Sequence, residues 1–204
     1  MSIRIDLHVH SDVSEDAFDS VAKLAAAASK RGIEALGICD HNKLRRRARR
    51  IGGVVLLYGE EVSTAQGHVV VYGIERAFPA GIDVHELIER VREEGGVSIA
   101  AHPFAMGRHS LGELALTAGV DAIEKFNGSA VLGNVVGMMK VPVGVGGSDA
   151  HTAFEVGEAF TVMPCGAHED EILACIRKKK FVAAWRPNPL SRIRRFAVRM
   201  GLRV

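Results

Sequence analysis

Apolar, strand-like runs in this chain end repeatedly in a histidine or a carboxylate. His8, His10, Asp16, His41, Glu61, His68, His102, Asp149 and His151 each lie at or beside the end of such a run. A side chain at the end of a buried strand points into the mouth of a fold rather than onto its outer wall. Nine nitrogen and oxygen donors at one rim exceed the needs of a single ion, so the pattern points to a multinuclear metal site and to hydrolysis.

The spacing predicts strands over 3–9, 35–39, 54–58, 68–74, 97–101, 122–126, 141–146 and 160–164. Helical patterns cover 20–30, 44–50, 84–94, 111–118, 130–140, 169–179 and the stretch 191–200. Continuous apolar runs such as VVLLY and VSIAA suit strands covered on both faces. Gly32, Gly95, Gly96 and Gly119 follow helical patterns, where a left-handed residue often closes the helix. Alternation of this kind specifies an α/β barrel or a doubly wound sheet. Polar residues gathered at strand ends favour the barrel, whose chemistry sits at the C-terminal ends of the strands. No GxGxxG follows the first strand, which counts against a dinucleotide fold.

Each motif has its own physical reading. In His8-Val9-His10 the two imidazoles share one face of a strand and can chelate one ion. Asp6 shares that spacing and suits a supporting role behind the ligands. Asp16 is either a ligand or the N-cap of the helix near Ser20. Asp40-His41 ends the strand ALGIC, with His41 the better ligand and Asp40 an orienting group or a cap. Glu60 and Glu61 face opposite ways, so one enters the site. Glu61 is the bridging candidate, because a carboxylate can span two cations about 3.5–4 Å apart, and Glu60 reads as a solvated loop charge. His68 begins a strand, His102-Pro103 ends one, and GVGGSDAH carries Asp149 and His151 on glycines suited to a tight rim turn. His85 and His168 read as surface residues.

Composition sets limits. Hydrophobic residues at 48% and charged residues at 25% describe a soluble globular chain large enough for a full core, read as one domain over 1–204. The net charge of +2 is too small to declare a nucleic-acid binder, although KLRRRARR (43–50) and the segment 189–204 are strongly basic. Cys39, Cys165 and Cys175 form no CxxC pair, which fits a reducing compartment and argues against a thiolate zinc site. Arg4 and Asp6 interrupt the first apolar run, and no stretch reaches the roughly 20 apolar residues of a spanning helix. The expectation is a cytoplasmic, soluble protein with no membrane partner.

The series HVH, DHN, GEEVST, AAHPF and GSDAH, in that order from His8 to about Arg177, resembles the PHP (polymerase and histidinol phosphatase) family. The resemblance implies a distorted (βα)7 TIM-like barrel with a two- or three-metal cleft at the strand ends. It implies that His8, His10, Glu61 and Asp149 hold one ion. Glu61 bridges to a second with His102 and His68, and Asp16, His41 and His151 hold a third. Family members usually place another second-metal ligand near the strand 122–126. Here that region reads IEKFNGSA, leaving Glu124, Asn127 and His68 as candidates. The ions are Mn, Fe or Zn.

The leading expectation is a phosphomonoesterase acting on a small phosphorylated metabolite or nucleotide through metal-activated water, with Arg108 and Lys43 as phosphate binders. A 3′–5′ exonuclease or oligonucleotide phosphodiesterase using the basic segments is the alternative. One Trp and two Tyr give poor support for a base-stacking platform. A non-catalytic metal-stabilised module is the third reading.

Overall fold

The computed structural model describes residues 2–46 and 48–202. The strands are β1 (Ile3–Val9), β2 (Ala35–His41), β3 (Arg50–Ile51), β4 (Val54–Ser63), β5 (His68–Tyr72), β6 (Val97–Ala100), β7 (Ala122–Asn127), β8 (Val145–Gly147), β9 (Ala159–Met163) and β10 (Val182–Trp185). The helices are α1 (Val21–Lys30), α2 (Val84–Glu93), α3 (Val131–Lys140), α4 (Glu169–Arg177) and α5 (Pro189–Arg199), with a 3-10 turn at Gly112–Leu116.

These strands form one curled sheet in the order β10-β9-β1-β2-β4-β5-β6-β7-β8, with β3 appended to β4. The curl brings the end of β8 back to β1. Asp149 N donates to His8 O at 2.8 Å and His10 N to Ala150 O at 2.9 Å, and Val9 bridges Ala150. The result is the expected distorted TIM-like barrel, nearly closed.

The distortion lies in the strand directions. β1–β2, β2–β4, β6–β7 and β7–β8 are parallel, whereas β5 is antiparallel to both neighbours and β9 is antiparallel to β1 and β10. Because β5 runs backwards, its first residue, His68, lies opposite Ser63 at the end of β4. A strand-start histidine thereby reaches the same rim as the strand-end ligands.

The barrel interior holds Ile5, Leu7, Cys39, Leu57, Tyr72 and Ile99, sealed below by Ile172, Leu173 and Ile176 of α4. Leu36, Ile38, Leu56 and Tyr58 face the other way and pack on α1 through Leu24 and Ala28. A third cluster joins Val69, Val71 and Ala100 to Leu87, Ile88 and Val91 of α2. Period-2 alternation between two apolar layers explains why these strands are apolar throughout.

The basic run departs from expectation. Described residues of 44–49 are irregular, and Arg47 lies outside the described residues. Leu44 packs into the core, the Tyr58 hydroxyl donates to Ala48 O at 3.1 Å, and Arg50 pairs with Val55 as β3. Pairing with β4 wins over helix propensity there. The last helix forms as expected. Asn188 caps it, accepting from Leu190 N at 3.2 Å, while Arg203 and Val204 lie outside the described residues.

Candidate metal centre

A register shift between Asp6 and Val9 places His8 and His10 inside the barrel mouth. Below the shift Ile3, Ile5 and Leu7 face the interior; above it Val9 has joined the outer layer against α1. A bulge re-aims side chains in this way, and without it both imidazoles would point outward. No shift is needed on β2 and β4. Cys39 and Leu57 already face in, so His41 and Glu61 follow by alternation.

Glu61, buried at 1% exposure, is the hub. Its Oε1 lies 3.0 Å from His102 Nε2, 3.1 Å from His68 Nδ1 and 3.5 Å from His8 Nε2. Its Oε2 lies 3.0 Å from His41 Nδ1 and 3.4 Å from His10 Nε2. One carboxylate therefore serves two groups of imidazoles, one per oxygen. Asp149 Oδ1 stands 3.5 Å from His10 Nε2 and 3.8 Å from His8 Nε2. Asp16 contacts His151 Nε2 at 3.0 Å and His41 Nε2 at 3.6 Å. His10, His41 and His151 form one compact donor group, and Glu61, His68 and His102 another. All nine candidate ligands converge on one place.

Three residues at the rim, Asn42, His102 and Asp149, adopt φ of 49°, 30° and 54°. The left-handed region disfavours side chains, and its use beside a site is a mark of function held against local strain. The glycines of GVGGSDAH serve close approach rather than positive φ. A Cβ on Gly147 would lie 2.5 Å from both Glu124 Oε1 and His8 Cβ.

A second layer sets the imidazoles. His8 Nδ1 donates to Glu124 Oε1 at 2.9 Å, and Glu124 Oε2 accepts from His102 N at 2.6 Å and Asn127 Nδ2 at 3.0 Å. Of the candidates left open for the second shell, His68 touches Glu61, whereas Glu124 and Asn127 stand behind His8 and His102. His10 Nδ1 donates to Ser14 Oγ at 3.3 Å, which donates to Asp40 Oδ1 at 2.9 Å. Each set of bonds turns an Nε2 toward the centre. Asp6 braces the backbone, accepting from His8 N, Ser148 N and Gly157 N.

The donors fit metal ions. Among the described residues, Glu61 Oε2 and His68 Nδ1 are buried without a hydrogen bond, although both face the centre. Burial opposes charge on His8, yet Glu124, Glu61 and Asp149 outweigh it and hold the imidazole well above its usual range. His41 is pushed up to about 10: burial works against the charge, and the neighbouring carboxylates of Asp16 and Glu61 overcome it. His10, buried with less compensation, falls to about 3. Cys39 stands within reach of His8 and His10, but burial pushes its thiol up to about 12 and keeps it neutral.

The cleft has a volume of about 250 Å3, and Arg108, His109 and Arg195 line it with the ligands. Arg108 pairs with Asp149 Oδ2. Lys43 does not enter. It donates to Val13 O at 3.3 Å and pairs with Glu15 at 3.7 Å, because the chain after His41 turns away along β4. Glu60 is not solvated either. It is fully buried, accepts from Phe78 N at 2.7 Å, and burial raises it to about 7.

His109 and Arg195 were not visible as site residues in the sequence. His109 packs edge-on against His68, ring centroids 5.6 Å apart. Arg195 comes from α5, where it looked like one charge in a basic tail. Its guanidinium donates to Glu155 Oε1 at 3.1 Å and Ser129 Oγ at 3.4 Å. Glu155 in turn accepts from His151 N and Thr152 N.

Two family models match this chain, one described as PHP domain over residues 6–120 and one as PHP-associated over residues 143–181. A Methanocaldococcus jannaschii protein, MJ0417, is 32% identical over 171 residues, covering 78% of this chain and 69% of its own length. Among solved structures, PsfC from Pseudomonas syringae superposes with a TM-score of 0.74 at 19% identity, covering 98% of both chains. A two-domain Bacteroides vulgatus protein containing a predicted PHP-like metal-dependent phosphoesterase gives 0.64 at 14% identity, over 91% of this chain and 65% of that one. Endonuclease Q, solved with a 27-mer duplex bearing an abasic lesion, gives 0.65 at 17% identity, over 87% of this chain and 57% of that one. At these identities the structures establish the shared fold.

Proposed function

This chain belongs to the PHP domain family, and from that premise we propose that it is a phosphomonoesterase acting on a small phosphorylated metabolite or nucleotide through water activated at two or three divalent ions. The observation that carries the reading is the division of imidazoles between the two oxygens of Glu61. His8, His10, Glu61 and Asp149 would hold one ion, Glu61, His68 and His102 a second, and Asp16, His41 and His151 a third. Mixed N/O donors suit Mn, Fe or Zn. Such ions lower the pKa of bound water from 15.7 toward about 7 and offset charge on phosphate oxygens.

The chain's own residues supply the rest. His8 and His10 are fixed in orientation by Glu124 and by Ser14–Asp40, so the donors need no rearrangement. Arg108 and Arg195 place guanidinium groups on the cleft wall, where planar donor pairs match phosphate oxygens. Metal-activated water as the attacking group would need no covalent nucleophile from the cleft wall. The test is inorganic phosphate release from histidinol phosphate, sugar phosphates, mononucleotides and 3′,5′-bisphosphonucleosides by Mn-loaded protein. Release from one class supports the proposal and narrows the substrate; metal-loaded protein silent on every class removes it.

Oligonucleotide cleavage is the second reading, motivated by the arginines that α5 brings to the cleft. It requires activity on oligonucleotides that falls steeply with salt.

A further inference from the structure

Beside the metal cleft lies a second cavity, of about 240 Å3, walled by Arg108, Ser129, Glu155, Phe196 and three arginines of α5, Arg192, Arg195 and Arg199. Arg108 and Arg195 border both spaces, so the two adjoin. Four guanidinium groups and one carboxylate, Glu155, line the second cavity, and Arg108 is already paired with Asp149 of the metal cleft. The Glu155 carboxylate is engaged on both oxygens: Oε1 pairs with Arg195 at 3.1 Å, and Oε2 accepts from His151 N and Thr152 N at 3.0 Å each.

The remaining cations are poorly matched. Arg192 donates to the Gly128 carbonyl at 3.2 Å and has no carboxylate within ion-pair distance among the described residues. The Arg199 guanidinium, exposed at the end of α5, has neither a hydrogen bond nor an ion pair among the described residues. Arg192, Arg195 and Arg199 follow one another at helical spacing of three or four residues, so α5 turns them toward the same side. Like charges set together repel, and an anion between them relieves that cost.

Placement of α5 is specific rather than incidental. Asn188 caps it, and Ser191, fully buried, donates to Asn188 O at 2.6 Å. The preceding β10 pairs with β9, and Trp185 stacks on Phe126 with ring centroids 5.9 Å apart. Both α5 and β10 lie beyond the residues matched by the two family models. Three of the cavity's four arginines therefore come from a segment outside the matched family regions, while Arg108 and Glu155 come from within them.

We propose that this cavity is a second anion subsite. It binds a second phosphate on the same substrate while the scissile phosphate occupies the metal cleft. The inference rests on the phosphoesterase reading for what sits in the cleft. The substrate class it selects is a phosphate ester carrying another phosphate group, whether on a sugar or on a nucleoside. Phe196, 65% exposed at the edge of the cavity, offers a flat apolar face to the body of such a molecule.

The experiment compares kcat/KM for matched pairs on Mn-loaded full chain. The pairs are fructose 6-phosphate with fructose 1,6-bisphosphate, and adenosine 5′-monophosphate with adenosine 3′,5′-bisphosphate. The bisphosphate member of one pair is expected to be favoured by about tenfold or more, the scale of one or two charge-assisted bonds. The pair that shows the preference identifies the source of the second phosphate. In Arg192→Ala/Arg199→Ala the preference falls toward unity, mainly through KM. Arg192→Lys/Arg199→Lys, which keeps the charge, retains part of it.

Equal kcat/KM within both pairs overturns the inference and leaves the phosphoesterase reading standing. If no phosphate ester is turned over, that reading fails on its own, and the subsite is tested by calorimetric titration with both bisphosphates. Affinity about tenfold weaker in Arg192→Ala/Arg199→Ala supports it. Equal affinity, or no binding by the wild-type chain, overturns it.

Discussion

Replacing Glu124 by glutamine or alanine isolates the layer behind the ligands. Glu124 is 3% exposed, and its carboxylate accepts from His8 Nδ1 at 2.9 Å, His102 N at 2.6 Å and Asn127 Nδ2 at 3.0 Å. Glu124→Gln keeps the shape but removes the charge that favours an electron-rich His8. Loss of such a partner costs about 10- to 100-fold in metal affinity or activity. Glu124→Ala leaves the buried His8 Nδ1–H and His102 N–H unpaired, at about 1–3 kcal/mol each. At about 2–4 °C per kcal/mol for a chain of this size, its Tm falls by about 4–24 °C. Calorimetric Mn titration reads the first effect and thermal unfolding of metal-stripped protein the second. The account predicts weaker metal binding in both variants and a large loss of Tm in the alanine variant alone. Wild-type affinity in Glu124→Gln would refute the argument that this carboxylate tunes His8.

Metal uptake should release protons and tighten as pH rises, because His8 and His41 are held protonated above their usual range in the metal-free chain and must lose those protons to bind. Calorimetry near pH 7 in buffers of different ionisation enthalpy measures the release, and affinity independent of pH counts against it. Glu158 is buried and pushed up to about 7 by desolvation, with Oε1 unpartnered. Its folded pKa lies above its unfolded value of 4.5, so stability is full below about pH 4.5 and is lost as pH rises through 7. Glu158→Gln should therefore raise Tm at pH 8 by about 4–8 °C, from about 2 kcal/mol after discounting for solvent screening, and change it little at pH 4.5. Gly147→Ala forces a Cβ to 2.5 Å from Glu124 Oε1 and His8 Cβ, and should cost about 1–3 kcal/mol of stability by chemical denaturation. Arg108→Ala should raise KM for a phosphate substrate, and Lys43→Ala should leave it unchanged, since Lys43 stands outside the cleft.

Much of this site was legible because alternation carries direction. Once Cys39 and Leu57 face the interior, His41 and Glu61 must also face inward, and Glu60 outward. Three features were beyond that logic. The bulge between Asp6 and Val9 reverses the parity of β1, and no residue in IRIDLHV announces it. The antiparallel course of β5 turns His68 from a strand start into a rim ligand. Arg195 reaches the cleft through bonds of α5 to distant residues, Arg192 to Gly128 O and Arg195 to Ser129 and Glu155, long-range contacts invisible in a basic tail. Glu60 shows the opposite error: an adjacent pair of carboxylates suggests one solvated partner, yet the layer around Phe78 buries it.

The most direct measurement is phosphate release from the phosphomonoester panel by one preparation, first stripped by chelator and then reloaded with Mn, with bound metal counted per chain. The account predicts no release when stripped, two or three ions per chain on reloading, and turnover of at least one phosphomonoester that Asp149→Asn abolishes. Full metal loading with no release, or equal turnover by the stripped chain, would contradict it.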